Sequence, residues 1–114
     1  MNSKLAVMNK GGTGCTVYYD GAWIVIELLT RGATQSSGQD SNALILPTGI
    51  TPTRDVYISV NVMTAGWIPS DITAYIVFSN GKRNATMRFT NSRSISNAVI
   101  LGTFAFPRSF FTIS

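Results

Sequence analysis

The 114-residue chain has no histidine and one cysteine. The usual proton shuttle, the usual nitrogen ligand and any Ser-His or Cys-His pair are therefore missing. Five acidic residues remain: Asp20 in a turn, Glu27 inside a strand, Asp40 in a polar stretch, and Asp55 and Asp71 at strand entries. Asp55 and Asp71 could form a glycosidase-like carboxylate pair only if their two strand entries converge; capping of local backbone amides is the simpler use. Cys15 supports neither a disulfide nor a metal cluster and reads as a small buried hydrophobe. Gly11-Gly12-Thr13-Gly14 lacks the lysine and the following helix of a phosphate loop, and reads as a flexible joint. Asn84-Ala85-Thr86 has the form of a glycosylation acceptor, but no secretory signal accompanies it. The expectation is a protein with no catalytic residues, no metal and no cofactor.

Binding chemistry is what remains. A saccharide site needs an aromatic face for the apolar side of a sugar and planar or hydroxylic groups for its hydroxyls. Trp67, between Gly66 and Pro69-Ser70-Asp71, is the first candidate for that platform, with Arg54, Asp71 and Tyr57 as its companions. In the competing reading Trp67 and Ile68 plug the end of the core or an intersubunit contact, the commoner use of a tryptophan.

The elements that would carry these side chains are strands. Around the corner Leu46-Pro47-Thr48-Gly49-Ile50-Thr51-Pro52, two prolines withhold backbone donors and fix φ, so the segment is a shaped connection. The run that leaves it alternates strictly, with Val56, Ile58, Val60 and Val62 on one face and Tyr57, Ser59, Asn61 and Met63 on the other. Upstream, Cys15–Tyr19 and Ala22–Thr30 flank Asp20-Gly21, a two-residue hairpin turn that requires φ > 0 at both positions. The second strand is apolar on both faces, which suggests cover on both sides, and Glu27 needs a donor if buried.

A short strand is expected at residues 4–8, a long exposed loop at 31–42 and a short strand at 43–46. Residues 64–71 form a loop. Ile72–Ser79 places Ile72, Ala74, Ile76 and Phe78 on one side, and Asn80-Gly81 turns the chain, widened by Lys82-Arg83. Residues 84–90 turn Ala85, Met87 and Phe89 inward, Asn91–Ser96 turns again, Asn97–Phe106 is the last long strand, and residues 110–113 add a short terminal one. No segment keeps helical spacing over three turns. The fold class is all-β: an antiparallel β-sandwich or jelly-roll-like barrel of seven to nine strands, with residues 1–14 a linker or stalk junction and 15–114 the domain.

Composition bounds the partners. The chain is 45% hydrophobic and 12% charged, against roughly a quarter charged in ordinary domains, so part of its apolar surface is expected to be covered by another chain, the alternative being a surface of Ser, Thr, Asn and Gly in place of charges. Its net charge of +4 comes from nine basic residues, scattered except for Lys82-Arg83, too thin for a nucleic-acid surface. The N-terminus has too short an apolar core for a signal peptide, and Ala22–Ile26 cannot span a bilayer, so a soluble protein made in a cytoplasm is expected.

The order of these features resembles the C-terminal head domains of bacteriophage tail and baseplate proteins, notably receptor-binding proteins of phages that infect Gram-positive bacteria. The resemblance runs over residues 9–106 as a pattern of corners and turns. It is carried by the glycine-rich entry Asn9-Lys10-Gly11-Gly12-Thr13-Gly14, the Leu46–Pro52 corner, the Val/Ile/Tyr strand after it, Ser79-Asn80-Gly81, and Gly102-Thr103-Phe104. It implies a homotrimer in the virion that recognises a saccharide of the host cell wall. Lactococcal-phage heads tend to carry His and Asp on the strand before the Ser-Gly turn, where this chain reads Thr73-Ala74-Tyr75-Ile76-Val77-Phe78. Their saccharide residues are therefore not carried over, and the alternative is a structural module that docks another phage tail or baseplate protein.

Overall fold

Strand formation follows the alternation of apolar residues closely. The computed structural model describes residues 8–35, 40–64, 66–89 and 95–114. Among them the strands are β1 (Met8–Gly11), β2 (Cys15–Tyr19), β3 (Trp23–Gln35), β4 (Asp40–Ile45), β5 (Ile50–Pro52), β6 (Val56–Met63), β7 (Pro69–Phe78), β8 (Asn84–Phe89), β9 (Ile95–Pro107) and β10 (Phe111–Ile113). One 3-10 turn, Arg108–Phe110, precedes β10. Every strand pairing is antiparallel.

Eight strands form one curled sheet, a half-barrel, in the order β1-β2-β3-β9-β6-β7-β8-β4, and β5 pairs separately with β10. The sheet divides into two halves. β3 and β9 share a long ladder from Trp23↔Pro107 to Gln35↔Ile95, whereas among the described residues β9 pairs with β6 only at Met63↔Val99. At the other side of the curl Thr13 and Ile45 exchange both backbone hydrogen bonds at 2.9 Å, which brings the outer edges together. The inner faces then share one core: Val17, Ile24, Ile26 and Leu28 from one half, and Ile58, Val62, Ala74, Ile76, Phe78, Met87 and Phe89 from the other. Full burial of each large side chain contributes about 1.5–3 kcal/mol, so the period-two pattern of β6, β7 and β8 fixes which face turns inward.

Several local expectations are corrected. Residues 31–42 are not one long loop: β3 continues to Gln35 and β4 begins at Asp40. The extension has no apolar period because backbone pairing with β9 carries it, through register shifts at Arg31/Ala33 and Ala33/Gln35. The Asp20-Gly21 turn does not use φ > 0 at either residue. Instead Asp20 opens the turn: its backbone N–H donates to Trp23 O, and its Oδ1 accepts from the amides of Ala22 (2.8 Å) and Trp23 (2.9 Å). Gly11–Gly14, expected as a flexible joint, is hydrogen-bonded: Gly11 pairs with Thr16, and Gly12 donates to Cys15 O at 2.9 Å. Glu27 is exposed and needs no buried donor.

The Asn80-Gly81 turn is present, with Gly81 at φ 77° and Lys82 N–H donating to Ser79 O. The strand expected at residues 4–8 lies outside the described residues up to residue 7. Of the turn expected at Asn91–Ser96, residues 91–94 lie outside them as well, and Ile95 already opens β9. No helix among the described residues is long and apolar enough to cross a membrane.

Candidate functional site

The outer faces of the two halves differ in chemistry. On β3 and β9 the outward pairs are Trp23↔Pro107, Val25↔Ala105, Glu27↔Thr103 and Leu29↔Leu101, a mainly apolar surface on which Trp23 is 53% and Leu29 48% exposed. On the β6–β7 hairpin the outward pairs are Tyr57↔Val77, Ser59↔Tyr75 and Asn61↔Thr73, a row of rings, hydroxyls and amides. Directly opposite residues of an antiparallel ladder share a face, so the exposure of Tyr57 (69%) and Tyr75 (51%) puts the whole row outside.

The hairpin ends in a loop that holds Trp67 out. Thr64 N–H donates to Ile68 O and Trp67 N–H to Thr64 O, both at 2.9 Å, and Trp67 sits at φ 62°. This is the left-handed position of a short hairpin loop, where glycine or asparagine is the unstrained residue. The loop base is tied down by Asn61, whose Nδ2 donates to Ser70 O at 2.7 Å and Ile72 O at 3.3 Å. Ser70 Oγ donates to Val62 O and accepts from Ile72 N–H. Trp67 is nevertheless 47% exposed.

The four residues expected to form a site fall into two groups. Trp67 and Asp71 belong to the loop end of the hairpin, and Asp71 is exposed on β7. Tyr57 lies six residues before Met63 on β6, roughly 20 Å away at the rise of an extended strand. Arg54, just before β6, places its guanidinium 4.4 Å from the centroid of the Phe110 ring, at Tyr57's end of the hairpin. One compact pocket made of all four does not exist. The separation also disposes of a carboxylate pair, because Asp55 stands before β6 with its Oδ1 accepting from Asn80 N–H at 2.9 Å, as a capping residue does.

Tyr75 and Asn61 are the residues that sequence reasoning misses. Folding the two alternating strings back on the Gly66-Trp67 loop would have placed Tyr75 diagonally across from Tyr57.

Arg108, Asp20 and Cys15 serve the fold. Arg108 Nη1 donates to Asp20 O at 2.8 Å, and its guanidinium lies over the Tyr19 ring. The amides of Ala22 and Trp23 hold the Asp20 carboxyl below its ordinary pKa. Burial pushes the Cys15 thiol up to about 11, and Cys15 Sγ contacts Ile45 O at 3.4 Å. No group of three His, Cys, Asp or Glu side chains among the described residues is placed to hold a metal ion. No protein-family model, curated protein or solved structure matches the chain.

Proposed function

We propose that the protein is a non-catalytic saccharide-binding head domain, of the type found in phage tail and baseplate receptor-binding proteins, acting as a homotrimer at the host surface. The observation that carries this reading is Trp67. A large ring, half exposed, occupies a left-handed backbone position that glycine would fill without strain, and such strain persists where the side chain has a task. The hydrogen-bonded loop base spares the ring most of the ordering cost of binding. The absence of histidine from the sequence and the use of Asp20 and Asp55 in turns support binding without catalysis.

The test is retention of labelled protein on intact Gram-positive cells and on isolated wall polysaccharide. Retention that is lost in Trp67→Gly, a substitution suited to the backbone at that point, is expected. Equal retention of parent and variant, or none by either, overturns the reading.

A second reading, a structural module that docks another tail or baseplate protein, is favoured by the apolar outer face of β3 and β9. In the first reading the same face serves contacts between copies, which would account for Trp23, Val25, Leu29 and Leu101 outside the core. A solution mass near three times that of the monomer supports the trimer. Stable capture of a tail component by a protein that ignores polysaccharide supports the docking module.

A further inference from the structure

A second aromatic group on the β6–β7 hairpin deepens the saccharide reading and depends on it. Tyr57 and Tyr75 are diagonal neighbours on the outer face, and with Ser59 and Val77 they line a shallow, mainly apolar cleft. Diagonal neighbours stand roughly 7–8 Å apart. At that spacing aromatic side chains are within reach of one another, so the two tyrosines offer adjoining apolar surface to one sugar ring. Between this cleft and the Trp67 loop the row continues through Asn61 and Thr73, with no charged side chain until Asp71. Arg88 stands directly across from Tyr75 on β8, outside the residues that line the cleft.

An aromatic-lined apolar cleft, an uncharged row along β6 and β7, and a second exposed ring roughly 20 Å away match a neutral linear saccharide lying along the strands. A single terminal sugar would need the groups gathered at one point. We propose that Tyr57 and Tyr75 form a ring subsite that acts together with the Trp67 loop, so that the β6–β7 hairpin binds several consecutive units of one saccharide chain.

The test uses fragments of one to six repeating units cut from the wall polysaccharide that retains the labelled protein. The affinity of the intact protein should climb with fragment length. For the longest fragment, Tyr75→Ala should bind about tenfold more weakly, the size of one lost stacking contact, while Tyr75→Phe stays within twofold of the parent. The amide signals of Ser59 and Tyr75 should shift on addition of that fragment. If Tyr75→Ala binds every fragment as tightly as the parent while Trp67→Gly does not, the subsite is refuted and the saccharide function stands. Loss in Tyr75→Ala without loss in Trp67→Gly refutes the two-ended site and, with it, the reading that rests on Trp67. If no polysaccharide retains the protein, both readings fall.

Discussion

Replacing Trp67 by alanine and, separately, by glycine isolates the backbone strain of the β6–β7 loop. Both changes remove the indole and whatever it packs against, so their difference reports only the conformation at φ 62°. A left-handed non-glycine residue costs about 1–2 kcal/mol, which alanine retains and glycine escapes. Glycine gives back about 0.5–1 kcal/mol through the greater freedom of its unfolded chain. The glycine variant should therefore be the more stable by about 0.5–1 kcal/mol, which for a domain of this size raises Tm by roughly 2–4 °C over the alanine variant. Urea and thermal unfolding followed by far-ultraviolet circular dichroism measure it. Ser59, in the middle of β6, is the internal control: there glycine should be the less stable of the two by a similar margin. An alanine variant at position 67 that equals or exceeds the glycine variant would refute the claim that this loop holds its tryptophan under strain.

Gly12→Ala should destabilise the domain by about 2–3 kcal/mol, since its Cβ would drive into the Ile45 carbonyl oxygen and disturb the Thr13–Ile45 hydrogen bonds, whereas Gly11→Ala and Gly21→Ala meet open space and should change little. Chemical denaturation, with hydrogen exchange at Thr13 and Ile45, reads both. The folded-state pKa of Asp20 lies below its unfolded value, so its stabilisation is present above the ordinary carboxylate range and is lost as pH falls through the folded pKa; Asp20→Asn should flatten that acid limb in stability measured against pH. Cys15, with its thiol raised to about 11, should react with a thiol reagent at pH 8 far more slowly folded than unfolded, and its share of stability should fade only as pH climbs from the ordinary thiol value towards 11.

The strands with a strict period were legible because burial enforces them: Val56, Ile58, Val60 and Val62, or Ala85, Met87 and Phe89, can face only one way. The continuation of β3 through Arg31–Gln35 was not legible, because its partner β9 lies far along the chain and backbone pairing leaves no apolar signature. Asp20-Gly21 misled for the opposite reason. The dipeptide suits a left-handed turn, yet the Asp20 carboxylate engages two amides and holds the chain without it. For the candidate site, each aromatic was visible singly, while the roughly 20 Å between Tyr57 and Trp67 follows from the strand length that separates them.

The ladder between β3 and β9 also imposes a timetable on synthesis. β3 ends at Gln35 and β9 begins at Ile95, and at 5–20 residues per second the ribosome needs roughly 3–12 s to produce the chain between them. Throughout that interval the β2–β3 hairpin has one unpaired side, a template for adhesion to neighbouring nascent chains, while the β6–β7–β8 meander can already close on itself. Residues 95–114 thus act as the keystone, and their removal should send the product into inclusion bodies.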